Sequence, residues 1–229
     1  LLTSFTDNSS KISEYIEECV RLGIKIYPPD VNIGTDKFIV YDDGIAFCLA
    51  AVKNIGRGFI RRIIDDRTSN GKFKDFYDFC ERMLGRDFNK RAAESLIKCG
   101  AFDSLGNNRK QFLQSLDTII CELESKKRNN IDGQIGFNEL DNRVEAVDSD
   151  YNYIYPVVDE YNNDELLRME KDVTGIYLSD HPLKKYKNVA DDLKCVCIRA
   201  ILENAGNIAE NNSIMEIKYR VIEDVFIAL

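Results

Sequence analysis

Between Leu49 and Ile64 the chain reads LAAVKNIGRGFIRRII, and its chemistry-bearing residues are Lys53, Arg57, Arg61 and Arg62 set around Gly56 and Gly58. Two glycines one residue apart permit a tight hairpin whose backbone N–H groups no side chain covers. A helix that begins directly after them adds the positive end of its dipole and its unbonded first-turn amides. Amides and mobile cations converging on one point suit a phosphate group, and such a hairpin holds a nucleic-acid backbone without reading its bases. An ordinary helix–turn–helix corner with glycine at a cap is the other reading of the same residues.

The elements that must carry this hairpin follow from apolar periodicity. An apolar helical turn from Leu49 leads into it and an amphipathic helix leads out, the order of a helix-hairpin-helix. Upstream, Ile12, Tyr15, Ile16, Cys19 and Leu22 fall at helical spacing over Lys11 to Leu22, with Asn8, Ser9 and Ser10 as cap candidates and Gly23 as the stop. Ile24-Lys25-Ile26 is short and extended before Pro28-Pro29. Phe38 to Tyr41, a turn at Asp42-Asp43-Gly44, and Ile45 to Phe47 predict a β-hairpin with a glycine turn.

Downstream, Phe73 to Leu84 predicts a helix with Phe76, Phe79, Cys80 and Met83 inward, and Gly85 to Phe88 a turn. Asn89 caps a helix over Lys90 to Lys98 that Gly100 ends. Two such pairs in tandem could face the two strands of one duplex, but this second pair lacks the Gly-x-Gly spacing, and support of the first pair is expected over direct phosphate contact. A long helix over Arg109 to Lys127 places Phe112, Leu113, Leu116, Ile119, Ile120 and Leu123 inward. Asn129 to Asn163 is acidic and has linker composition. Within it, Gln134-Ile135-Gly136-Phe137 suits a docking peptide, with Gln anchoring by hydrogen bonds and the apolar residues entering a pocket, and an accidental apolar patch in a linker is the other reading of the same spacing. A short helix over Asp164 to Asp172 and a turn containing His181 precede strand-like runs after Val196. The fold class expected is mainly α, a tandem helix-hairpin-helix domain with a small β-hairpin before it and a short β-rich C-terminal segment.

Charge is unevenly spread. The net formal charge is −8 over 229 residues, yet Lys53 to Lys98 holds twelve Lys/Arg against seven Asp/Glu, and Asn129 to Asp172 holds three against twelve. Phosphate binding responds to the local field, because salt screens interactions beyond about 10 Å. No run approaches the ~20 apolar residues of a membrane span. Seven scattered cysteines and the absence of a secretion signal suggest reduced thiols in a cytoplasm. Cys195-x-Cys197 with one histidine in the chain falls short of a four-ligand zinc site, so no metal is expected. No initiator Met is present and the chain stops inside the apolar run Val225-Phe226-Ile227-Ala228-Leu229, which suggests a piece of a longer polypeptide.

Five blocks together carry a resemblance: EYIEECVRLGIKIYPPDVN (Glu14 to Asn32), GIAFCLAAVKNIGRG (Gly44 to Gly58), DFYDFCERM (Asp75 to Met83), NKRAAESLIKCGAFDSLG (Asn89 to Gly106) and EKDVTGIYLSDHPL (Glu170 to Leu183). In this order they resemble the C-terminal third of bacterial replicative DNA polymerase III alpha subunits. The resemblance implies that residues 1–36 end a fingers region and that 37–128 form a tandem helix-hairpin-helix domain holding duplex DNA. It implies that 129–163 carry a peptide for the sliding clamp, that 164–187 are a helix and turn, and that 188–229 open an OB-fold. Residue by residue, it assigns Lys53, Ile55, Gly56, Arg57 and Gly58 to the phosphate hairpin, beside Arg61 and Arg62, and Gln134, Ile135 and Phe137 to the clamp peptide. Asn138 stands where that peptide often has Phe.

The family's catalytic aspartates and their Mg belong to a palm domain upstream. This chain is therefore expected to hold no cofactor and to be inactive alone. Its expected partners are the DNA backbone, the clamp and other replicase subunits, with no membrane. A protein-interaction scaffold and a DNA-holding piece of a repair enzyme are the rival readings.

Overall fold

Asn8 accepts a hydrogen bond from the Lys11 amide at 3.1 Å and starts the first helix, α1 (Ser9–Arg21), as the cap candidates predict. The computed structural model describes residues 2–6, 8–85, 88–131, 153–186 and 188–189. Leu1–Ser179 form one compact unit and Asp180–Leu229 a second. In the second unit, the described residues form a 3-10 helix at Pro182–Tyr186, with Lys184 3.2 Å from Asp180 and the Leu183 amide donating to His181 Nδ1. The expected β-rich segment after 189 lies outside the described residues.

The first unit holds a three-stranded sheet in the order β1 (Lys25–Tyr27), β3 (Gly44–Ala46), β2 (Ile39–Tyr41). β2 and β3 form the expected hairpin, and β1 adds in parallel with Ile26 opposite Ile45. The turn differs from the glycine turn expected. Asp42, at φ +48, takes the left-handed position. Gly44 is needed instead where β1 approaches, because a Cβ there would strike the Lys25 carbonyl.

Helices α2 (Arg57–Asn70), α3 (Phe76–Met83), α4 (Lys90–Lys98), α5 (Arg109–Ile131) and α6 (Asn163–Thr174) follow the sheet. The arm before α2 is shorter than a helix, a single 3-10 turn at Leu49–Ala51. Phe76, Phe79, Cys80 and Met83 face inward on α3 as expected. Phe102 joins them, its ring 4.9 Å from Phe76 and 4.8 Å from Phe79, and Phe112 brings α5 to 4.8 Å from Phe76. The two edge-to-face pairs that Phe102 makes add roughly 0.5–1.5 kcal/mol each beyond the area they bury. Leu2, Ile12 and Val31 belong to the same buried cluster as the helix pairs.

The last third of the expected linker also packs. Residues 153–162 run as an extended strap across α3 and α5. Tyr153 stacks on Tyr77 at 5.7 Å, and the Pro156 carbonyl accepts from Gln111 Nε2 at 2.8 Å. Glu160 accepts from the first-turn amides of Arg109 and Lys110.

An ion network built on a buried pair closes the unit. Arg109 on α5 lies 2.7 Å from Asp103 and 3.1 Å from Glu170 on α6, and donates to the Lys98 carbonyl at the end of α4. Glu170, 1% exposed, uses its other oxygen to accept from the Leu178 and Ser179 amides. Burial by itself lowers the Arg109 pKa, but bonds and charges from Asp103 and Glu170 reverse this and raise it above the ordinary arginine value. Gly100, at φ +82, makes room for the network, since a Cβ there would lie 2.7 Å from Asp103 Oδ2 and 2.9 Å from Arg109 Cζ.

Arg109→Ala would leave Glu170 buried without a countercharge, at an expected cost of about 3–5 kcal/mol in urea denaturation. The double variant Arg109→Met with Glu170→Met should recover most of that loss. If the single variant cost less than about 1 kcal/mol, in the range of a surface pair, the network would not have the role described.

Candidate functional site

The hairpin joining the 3-10 turn to α2 is built in two halves. Its entrance is tied down. The Lys53 amide donates to the Val173 carbonyl at 2.7 Å, and Lys53 Nζ donates to the Asp172 carbonyl at 2.8 Å, so the lysine closes on the C-terminal turn of α6. Asn54 takes the left-handed conformation at φ +66, and its Nδ2 donates to Ser95 Oγ on α4 at 3.0 Å. Ile55 packs partly buried against the core.

Its exit is open. Gly56 is the N-cap of α2, at φ −75 and ψ 145, and no side chain caps the helix. Neither Gly56 nor Gly58 would bring an added Cβ within 4 Å of another part of the protein. The tight turn that the two glycines suggest is therefore made by Asn54, and the glycines satisfy no steric demand of the fold.

Each of the other α-helices among the described residues has a side chain on its first-turn amides: Asn8 on α1, Asp75 on α3, Asn89 on α4, Asn108 on α5 and Asn162 on α6. The Asn162 cap is a reciprocal box with Glu165, and Asp164 adds charge suited to the helix dipole. α2 has the reverse arrangement. It has no cap, no acid in its first turn, Arg57 at its first position and Gly58 at its second. Each choice disfavours the local helix by tenths of a kcal/mol up to about 1. Together they leave amides, a helix-dipole positive end and a cation at one exposed place.

Arg57 and Arg61 lie one turn apart on α2, both exposed and without a partner among the described residues. Asp65, one turn further, ends the basic stripe. Arg62 differs from them. It is half-buried, and its Nη2 donates to the Arg82 carbonyl at 3.1 Å, which ties α2 to the end of α3. Arg82 itself bonds back to Asp66 through Nε at 2.6 Å and lies 4.2 Å over the Phe73 ring. Arg67 anchors the same helix through the Val31 carbonyl at 2.7 Å and the Ile33 carbonyl at 3.1 Å. Of the four cations read around the hairpin, two bond within the chain and two face outward.

Two residues of this region escape motif reading. Asn54 makes the turn, and the signal for it is an asparagine two residues before the Gly-x-Gly, since Asn is enriched among left-handed residues. Arg91 is exposed on α4 one turn before Ser95, and so lies on the helix stripe that receives Asn54. Gln134, Ile135 and Phe137 lie outside the described residues, as do Cys195 and Cys197. Burial pushes the Cys48 thiol up to about 11 and the Cys99 thiol up to about 12, as for inert core thiols. Among the described residues no cluster of His, Cys, Asp or Glu could hold a metal, and no helix is long and apolar enough to cross a membrane.

Residues 23–112 match the family model described as a helix-hairpin-helix motif. Over 191 residues the chain is 40% identical to the DNA polymerase III subunit alpha of Borreliella burgdorferi, covering 83% of this chain and 16% of that protein. It is 34% identical over 188 residues to the subunit of the same name from Escherichia coli K12, covering 81% and 16%. Against the Deinococcus radiodurans subunit it is 32% identical over 201 residues, covering 85% and 14%. The chain thus spans about one sixth of the length of these relatives.

Gly58→Ala should leave stability unchanged or raise it by up to about 1 kcal/mol in urea denaturation, because alanine is the better helix former and nothing opposes its methyl. A loss above about 1 kcal/mol would mean that the glycine serves the fold.

Proposed function

The chain belongs to the DNA polymerase III alpha subunit family as a C-terminal portion of it, and on that premise we propose that it grips duplex DNA by the sugar–phosphate backbone during replication, without reading sequence. The observation that carries this reading is the uncapped N-terminus of α2. There the chain omits a cap, places glycine in the first turn and presents Arg57 and Arg61 outward. In this reading Gly56 and Gly58 let a phosphate reach the α2 amides, and Arg57 and Arg61 neutralise it. Ile55 anchors the hairpin in the core. Lys53 and Arg62 hold it from behind, through the Asp172 and Arg82 carbonyls.

Residues 37–128 are the DNA-gripping domain, 1–36 the end of a fingers region, 164–187 a helix and turn, and 188–229 the start of an OB-like segment. Residues 129–163 carry a peptide, with Gln134, Ile135 and Phe137 as its anchors, that docks on the sliding clamp and tethers the enzyme to its template. The piece works in the cytoplasm beside other replicase subunits, and nucleotidyl transfer belongs to other parts of the longer protein.

Fluorescence anisotropy of a labelled primer–template duplex tests the grip. Affinity should ignore sequence and fall steeply with salt, and Arg57→Ala and Arg61→Ala should each reduce the slope of log K against log salt by about 0.9. Gly56→Val should weaken binding while the fold is retained. Undiminished binding by Gly56→Val would contradict the hairpin assignment. For the clamp peptide, Gln134→Ala combined with Phe137→Ala should abolish surface-plasmon-resonance binding to an immobilised bacterial clamp and leave DNA affinity unchanged. Retained clamp binding would contradict that assignment.

A further inference from the structure

We infer that Asn54 is the positioning residue of the phosphate hairpin and that α4 is the surface against which it is positioned, an inference that rests on the DNA-gripping reading above. The second helix pair thereby orients the first.

Four observations meet here. Asn54 is one of two non-glycine residues with positive φ among the described residues, the other being Asp42 in the β-turn. A left-handed residue reverses the chain, so its conformation decides which way the amides after it point. Its side chain makes a 3.0 Å bond to Ser95, which is 3% exposed on α4. α4 is itself well held, with Asn89 capping its first turn and Ala92, Ala93, Leu96 and Ile97 fully buried. An added Cβ at Gly56 or Gly58 would meet nothing within 4 Å, so the glycines themselves make no side-chain contact that fixes the hairpin exit. α2 is held along its length by Phe59, Ile60 and Ile63 and by the bonds of Arg62 and Arg67, and Asn54 fixes the turn that feeds through Ile55 into its first amides.

The side-chain type has to meet two demands. Glycine would keep the left-handed turn and lose the tether. Aspartate would keep the turn and place a negative charge two residues before the phosphate site. Alanine would lose the tether and resist the turn. Asparagine combines an amide donor aimed at Ser95 with tolerance of positive φ.

The test titrates the full chain and its Asn54→Gly, Ser95→Ala and Ser95→Thr variants with a labelled duplex at several salt concentrations, with Arg57→Ala as the comparison. Asn54→Gly and Ser95→Ala should each weaken binding by about fivefold to tenfold, the scale of one lost hydrogen bond to an oriented group. Their salt slopes should match the parent's, because every outward cation remains, whereas Arg57→Ala should lower the slope. Ser95→Thr keeps the hydroxyl and should bind as the parent does. Parent-like binding by Asn54→Gly and Ser95→Ala would overturn the positioning role and leave the DNA-gripping reading standing. So would a loss of binding that tracks thermal stability and is shared by Ser95→Thr. Absence of duplex binding by the parent chain at low salt would instead remove the reading on which the inference rests.

Discussion

The buried pair of Arg109 and Glu170 is the constraint on which the arrangement depends. Two ions out of water are tolerated only when their remaining bonding capacity is used, and here it is: Arg109 also reaches Asp103 and the Lys98 carbonyl, and Glu170 also takes the Leu178 and Ser179 amides. The pair joins the end of α4, the start of α5 and the middle of α6. The last turn of α6 then presents the carbonyls of Asp172 and Val173, and Lys53 closes on both. A continuous set of bonds thus runs from the buried charges to the entrance of the hairpin.

From that anchored entrance the structure turns to an exit that no part of the fold optimises. Asn8, Asp75, Asn89, Asn108 and Asn162 cap their helices, each in the usual way. α2 forgoes such a cap and accepts a glycine and a cation in its first turn. Its stability comes instead from Phe59, Ile60 and Ile63 buried beneath it and from Arg62 and Arg67 bonded to backbone carbonyls on either side. Among the described α-helices, capping is forgone at α2, where an anion would sit, a local departure of the kind expected at a functional site.

Much of this was legible in local pattern. α4, with Asn89 before it and Gly100 after it, and the inward face of α3 follow from caps and period alone. What was not legible depends on partners distant in sequence. The strap at 153–162 sits in an acidic, asparagine-rich stretch without periodicity, and its reason to be ordered is Glu160 on the α5 amides and Tyr153 on Tyr77. β1 is three residues long and pairs in parallel with a strand nearly twenty residues on. At the site, the outward pair Arg57 and Arg61 and the inward Arg62 look alike in sequence. Only the position of the Arg82 carbonyl separates them. Gly-x-Gly reads as the source of the tight turn, whereas the turn belongs to Asn54.

The central claim is that the first-turn amides of α2 are the contact with phosphate. A ¹⁵N-resolved NMR titration of the deuterated chain with a short duplex of mixed sequence observes those amides directly. The account predicts that the Arg57, Gly58 and Phe59 amide signals shift first and furthest, with little change on α5 and the sheet. If DNA moves signals elsewhere while these three stay in place, the contact lies on another surface and the account of this hairpin is wrong.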